Sequence, residues 1–257
     1  MKQLIVFLLC LFLGFSYCMA TLIGRTGSPG EGNTSGGATT TTTSTKEICS
    51  GTCLFECGWE EGTTTGCGAD DFDSAVGDGL TAESVATIEG SYVLQSTGGG
   101  ADYVLDDDGG GDYDEGDMYA RICFRWTAET LSDGQNIPFL TFRSSVSLAQ
   151  VRLIDNSGTI NIQGRGWDGD SSENFGSYTV TQNTWYQVEL KYDNDTEIGF
   201  KVYNQAGTQV YPGSGWETLA TVTSSLVDSI RVGNADSYEA TMQYDVLGVK
   251  TSEVGAY

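Results

Sequence analysis

The chain predicts an all-β protein, an antiparallel β-sandwich of the jelly-roll type behind a disordered N-terminal region. Three observations carry this. Apolar and polar residues alternate with period two through most of residues 53–252, and Asn, Asp and Gly turns separate the alternating runs. No stretch of a dozen residues beyond the leader shows the apolar stripe of an amphipathic helix. Glycine is abundant at 35 residues and proline scarce at 3, which suits tight turns between strands.

The leader comes first in the chain. Lys2 supplies a positive charge, LIVFLLCLFLGF an apolar run, and Cys18-Met19-Ala20 small residues at the −3 and −1 positions of a cleavage site. The run falls short of the roughly 20 residues a membrane-spanning helix needs. Residues 1–20 are therefore expected to be a signal peptide, leaving a secreted or cell-surface mature chain without membrane insertion. Residues 21–48, with GSPGEGNTSGGATTTTTSTK, hold nothing that can bury a core and read as a Gly/Thr/Ser-rich linker or stalk. Residues 49–257 then form one domain.

Composition restricts the partners. With 12 Lys and Arg against 35 Asp and Glu, the formal net charge is −23, and there is no histidine. Phosphates would be repelled, so nucleic acid is excluded as a partner, as are anionic membrane surfaces.

Seven cysteines are present. Cys10 and Cys18 belong to the signal, and Cys49, Cys53, Cys57, Cys67 and Cys123 remain. In an oxidising compartment these pair where geometry allows. Cys57 with Cys67 would close the loop around GWEEGTTTG; Cys49 with Cys53 is a further option, and Cys123 is then left alone within a strand. A metal–thiolate cluster fits poorly, given the spacings and the lack of histidine.

The strands follow in order. MYARICFRW sets Ala120, Ile122, Phe124 and Trp126 on one face and Tyr119, Arg121, Cys123 and Arg125 on the other. AQVRLID opposes Val151 and Leu153 to Gln150 and Arg152. After the turn DNSG, TINIQGR opposes Ile160 and Ile162 to Asn161 and Gln163. WYQVELKY turns Tyr186, Val188 and Leu190 inward and is expected to expose Gln187 and Glu189. EIGFKVYN puts Ile198, Phe200 and Val202 inward. GRGWDGDSSENFG reads as a loop, with Trp167 placed to stack on a sugar face or to cap the core. DDDGGGDYDEGD lacks the ligand spacing of an EF-hand and reads as a solvated connection.

Several segments in order resemble the concanavalin A-like lectin/glucanase (laminin-G-like) jelly rolls. CLFECGWEEG is similar to their Phe-Glu-x-Gly opening strand, and EGSYVLQSTGGGADYVL to their Gly-Ser-Tyr-x-Leu strand. NTWYQVELKYD is similar to Trp-Tyr-x-Val-x-Leu, and MQYDVLGVKTSE to the closing Tyr-Asp-x-Val strand. The resemblance implies a polar sheet face on which polysaccharide lies. It also implies a structural Ca²⁺ where the first strand, the Gly-Ser-Tyr segment and the last strand meet, here Glu56, the backbone near Gly90, and Asp245. GFKVYNQ resembles part of the catalytic strand of alginate lyases of this fold. Those enzymes also need a histidine and an Arg-x-Glu-x-Arg strand; this chain has no histidine, and FRSSVSLAQVR does not reproduce the arginine motif. The Glu-x-Asp-x-x-Glu strand of the retaining hydrolases is missing too.

Binding chemistry is what remains. Arg121, Arg125, Arg143, Arg152 and Arg165 fall close together in an otherwise acidic chain. Guanidinium forks match carboxylate or sulfate groups bidentately; the same arginines could also simply pair with surface acids. The expected ligand contacts are Arg121, Arg125, Arg152, Gln163 and Trp167, and the expected partner is an extracellular glycan, in particular an acidic polysaccharide. The chain thus reads as a secreted, non-catalytic carbohydrate-binding or adhesion module. A polysaccharide-active hydrolase or lyase of the same fold, and a structural surface protein, are the alternatives.

Overall fold

Residues 53–67, 71–85, 87–107, 113, 115–168, 171–194, 196–220 and 225–255 are described by the computed structural model. The expected signal and linker, and the middle of the DDDGGGDYDEGD segment, lie outside them. The strands in chain order are β1 (Phe55–Cys57), β2 (Ser74–Val76), β3 (Leu80–Glu83), β4 (Val93–Ser96), β5 (Asp102–Asp106) and β6 (Asp117–Glu129). Then come β7 (Asn136–Arg143), β8 (Ser147–Asn156), β9 (Thr159–Asp168), β10 (Ser171–Thr179), β11 (Tyr186–Asp193) and β12 (Glu197–Asn204). The last four are β13 (Gln209–Tyr211), β14 (Glu217–Ala220), β15 (Ser229–Asn234) and β16 (Ala240–Lys250).

They form two antiparallel sheets packed as a sandwich. Sheet A runs β13-β12-β11-β6-β16-β4-β3, with β1 added on β16 and β14 on β12; sheet B runs β10-β9-β8-β7-β15-β5-β2. The expected all-β fold is therefore the observed one. Among the described residues no helix is long and apolar enough to cross a membrane.

The core follows the alternation residue by residue. Sheet A contributes Ala120, Ile122 and Phe124 from β6, Val188 and Leu190 from β11, and Phe200 and Val202 from β12, all completely buried. Sheet B answers with Phe139 and Phe142 from β7, Val151 and Leu153 from β8, and Val232 from β15. Phe124 of one sheet stacks on Phe139 of the other with ring centroids 4.5 Å apart. Offset aromatic pairs of this kind add to the area they bury.

The stretch GRGWDGDSSENFG departs from its expected form. Instead of a loop it is the hairpin of β9 and β10, with Trp167 paired to Ser172. The glycines explain both the error and the structure. Gly164 and Gly166 face inward, where a Cβ would come within 2.5 Å of the Phe175 ring and 2.6 Å of Ile198. Only residues without side chains let this strand approach so closely, and they look like loop residues in a sequence.

The disulfide Cys57–Cys67 is formed. Cys53 is disulfide-bonded as well, and Cys123 is completely buried and stands outside any disulfide.

Candidate functional site

Each sheet has an outer face, and the two differ. On sheet A, alternation sends Arg121, Cys123 and Arg125 of β6 outward, together with Gln187, Glu189 and Lys191 of β11 and Lys201 and Tyr203 of β12. Pairing aligns them in rows across the strands. Glu56, Gly248, Arg121, Glu189 and Lys201 form one row, and Asp245, Cys123, Gln187 and Tyr203 the next.

The expectation that Gln187 and Glu189 are exposed does not hold; they are 1% and 0% exposed. The chain itself covers them. Glu189 Oε1 accepts the Val254 and Gly255 N–H groups at 2.5 and 3.1 Å, and Tyr203 donates its hydroxyl to Glu189 Oε2 at 3.2 Å. Arg121 donates to the Gly255 carbonyl, and Lys201 pairs with Glu253. Burial pushes the Glu189 carboxyl above its ordinary range, opposed by those two backbone donors. Arg125 donates to Gln243 and stacks over Trp185 at 4.9 Å.

On sheet B the outward residues are Gln150 and Arg152 of β8, Gln163, Arg165 and Trp167 of β9, Thr141 of β7 and Arg231 of β15. Asn174, Arg165, Gln150, Thr141, Arg231, Leu105 and Ser74 form one row across all seven strands. Arg152 donates to Gln163 Oε1 at 2.6 Å, and Arg165 to the Ser172 hydroxyl. Arg165 lies over the Trp167 ring at 5.0 Å and Arg231 over Tyr103 at 5.1 Å.

No carboxylate among the described residues forms an ion pair with Arg143, Arg152, Arg165 or Arg231. Their Nε atoms are buried without a hydrogen-bond partner. Desolvation, then the neighbouring Arg165, lowers Arg152 to about 10, with Asp236 pulling the other way. Desolvation, then Arg143, lowers Arg231. A pocket of about 260 Å³ opens here, lined by Asn136, Gln150, Arg165, Trp167, Arg231 and Asp236 among others. Chemically it is a cationic, aromatic-flanked cleft whose lining arginines, Arg165 and Arg231, outnumber its lining carboxylate, Asp236.

The five expected ligand contacts are thus divided. Arg152, Gln163 and Trp167 share the face of sheet B, whereas Arg121 and Arg125 stand on the opposite side of the sandwich. Alternation tells which face of a strand a residue occupies, but not which sheet the strand joins. Arg231 was missed because it lies far along the chain from the other arginines. Its signal was the alternation Ser229-Ile230-Arg231-Val232.

The expected calcium set is also partly rearranged. Asp245 is completely buried; its Oδ2 accepts the Ile88 and Glu89 N–H groups at 2.7 and 3.0 Å. Its Oδ1 has no partner among the described residues. A β-bulge after Asp245, with Val246 at φ 52°, turns both residues to the same outer face. Burial, the largest influence, and the charge of Glu60 raise the Asp245 carboxyl to about 7, against its backbone donors. Glu60 in turn accepts the Ser91 N–H at 2.8 Å and lies so close to Gly90 that a Cβ there would collide with its carboxylate. Glu56 pairs with Gly248 and acts electrostatically on Arg121, so Glu60 is the acid that reaches Asp245. No group of three or more His, Cys, Asp or Glu residues able to hold a metal ion is present among the described residues.

Residues 119–221, from β6 through β14, match the family described as SO2946-like, C-terminal domain. No curated protein matches the chain. Among solved structures, the cellulose-induced protein Cip1 is 12% identical, with a TM-score of 0.51 over 78% of this chain and 99% of that one. A carbohydrate esterase of the Shiga toxin-encoding bacteriophage phi24B is 15% identical, with a TM-score of 0.55 over 77% and 97%. The binding domain of botulinum neurotoxin serotype D is 10% identical, with a TM-score of 0.53 over 78% of this chain and 48% of that one. At these identities the likeness establishes the shared sandwich fold.

Proposed function

We propose that this protein is a secreted, non-catalytic carbohydrate-binding module for an acidic polysaccharide, and that the ligand lies on the outer face of sheet B. One observation carries the reading: Arg152, Arg165 and Arg231 stand together without ion pairs among the described residues of a chain of net charge −23. A desolvated cation without an ion pair costs stability, and one nearby carboxylate, Asp236, does not balance three arginines, so their retention points to a counter-charge supplied by a ligand. Guanidinium forks fit carboxylate groups, and Trp167 offers a flat surface to a sugar ring. The names of two similar structures, a cellulose-induced protein and a carbohydrate esterase, agree with a carbohydrate ligand. The disulfides suit an oxidising, extracellular setting.

A hydrolase or lyase reading has one observation in its favour, the Tyr203–Glu189 contact beside Arg121 and Lys201. That cluster is roofed by residues 253–255. Release of reducing sugar or unsaturated uronate from a polysaccharide panel separates catalysis from binding. A glycan array separates binding from a purely structural role. Binding should favour uronate or sulfated chains and weaken at high salt; equal binding of neutral glucans at low and high salt would sink the proposal.

A structural Ca²⁺ fits Asp245, whose buried Oδ1 lacks a partner, with Glu60 in place of the expected Glu56 and with backbone oxygen near Gly90. The ion would neutralise two acids otherwise set against each other, and so would hold the first and last strands together.

A further inference from the structure

The outer face of sheet A is dry for a reason that strand alternation does not supply. Arg121, Gln187, Glu189, Lys191, Lys201 and Tyr203 point away from the core, yet none is more than 6% exposed. Among the described residues the cover includes Trp216, over Lys201 at 4.1 Å and Lys191 at 5.1 Å, and the short segment Glu253–Gly255. This segment belongs to no strand and is held by four polar contacts. Glu189 accepts two of its N–H groups, Arg121 donates to one of its carbonyls, and Lys201 pairs with the Glu253 carboxylate.

We propose that Glu253–Gly255 is a removable strap that closes a second, carboxylate-binding saccharide groove on sheet A. Each strap contact has a counterpart in an acidic sugar chain. A uronate carboxylate can take the place of Glu253 on Lys201, two sugar hydroxyls can donate to Glu189 in place of the two N–H groups, and a ring or hydroxyl oxygen can accept from Arg121 in place of the Gly255 carbonyl. Trp216, half-buried and flanked edge-on by Tyr119 at 5.9 Å, forms an aromatic wall at the same spot. The strap is weakly fastened at its outer end, since the Glu253 side chain is 50% exposed and an ion pair so placed holds little. Its grip comes from the backbone donors on buried Glu189. The groove is separate from the pocket on sheet B, so either can fail without the other.

The test silences the sheet B pocket first, with Arg165→Ala and Arg231→Ala. This background is compared with the same chain ended after Thr251, by calorimetric titration with polygalacturonate. The shortened chain should bind at least tenfold more tightly than the background, Lys201→Ala should remove the gain, and a synthetic TSEVGAY peptide should compete. A folded shortened chain that binds neither polygalacturonate nor peptide overturns the proposal; peptide binding alone overturns the assigned ligand class. If shortening unfolds the protein, Glu253→Gln with Val254→Pro in the full chain loosens the strap instead. Faster Gly255 amide exchange with a gain in polygalacturonate binding then supports the strap, and binding unchanged from the background overturns it.

Discussion

The two outer faces are made by the same alternation and end in opposite states. On sheet A, Arg121 is 1% exposed, donates to a backbone carbonyl and faces Glu189. On sheet B, Arg152 is 3% exposed, donates to the Gln163 amide and has no ion pair among the described residues, with Asp236 acting on it electrostatically. What lies above the sheet accounts for the difference. A strap and an aromatic side chain complete the first face, whereas the second opens on a pocket lined by two more arginines. The Nε of each arginine is buried without a hydrogen-bond partner among the described residues, so what distinguishes the faces is the carbonyl acceptor and facing carboxylate that Arg121 has and the open pocket beside Arg152.

The largest expected effect breaks the comparison directly. Arg121→Ala strands buried Glu189 and the Gly255 carbonyl and should cost about 3–5 kcal/mol in denaturant unfolding, as the loss of one partner in a buried pair does. Arg152→Ala removes a buried cation that has no ion pair among the described residues, and relief from desolvation offsets the lost packing of its stem. Its stability should stay within about 1 kcal/mol of wild type. Equal destabilisation by both would show that the arginines of sheet B are structural after all.

Next in size is the proposed ion beside sheet A. Chelator should lower Tm by several degrees, corresponding to about 3 kcal/mol for a site filled a hundredfold above its Kd. Asp245→Ala should remove that response, and Glu60→Gln should weaken it. Glu56→Gln should leave it intact, because Glu56 acts on Arg121 instead. A melting curve indifferent to chelator, with no metal in elemental analysis, excludes the ion.

A smaller effect sharpens the contrast through pH. The folded Glu189 carboxyl is raised by burial, with Arg121 on β6, Lys201 and Tyr203 on β12 and Glu253 of the strap around it. As pH climbs past about 4.3, the unfolded chain gives up this proton first. The unfolded state then binds fewer protons, and stability falls until the folded group also ionises. Glu189→Gln should flatten this part of the stability–pH curve, whereas Arg152→Ala should not change it. An unchanged slope in Glu189→Gln would show that the carboxyl is not held protonated.

Much of the fold was legible because period-two alternation is a local property. The core faces of β6, β8, β9, β11 and β12 and the Cys57–Cys67 pairing are as expected from the residues. The site was less legible because its determinants are not local. Arg121 and Arg152 alternate identically in the chain, and only strand order separates them by the thickness of the sandwich. Glu189 looks solvent-facing until a segment more than sixty residues away folds over it. Gly164 and Gly166 conceal a strand by allowing Phe175 and Ile198 to come close. Glu60, rather than Glu56, is the acid whose charge acts on Asp245, because β1 ends at Cys57 and the chain then turns back toward Gly90.

Calorimetric titration of polygalacturonate at low and high salt tests most directly whether the arginines of sheet B bind an acidic polysaccharide. The wild-type chain should bind at low salt and weaken as salt rises. Arg165→Gln with Arg231→Gln should lose roughly 10- to 100-fold in affinity, equivalent to about 1.5–3 kcal/mol for charged hydrogen bonds, with an unchanged melting temperature. Wild-type binding that this pair of substitutions leaves intact, or that is no stronger than binding of a neutral glucan, would contradict the account.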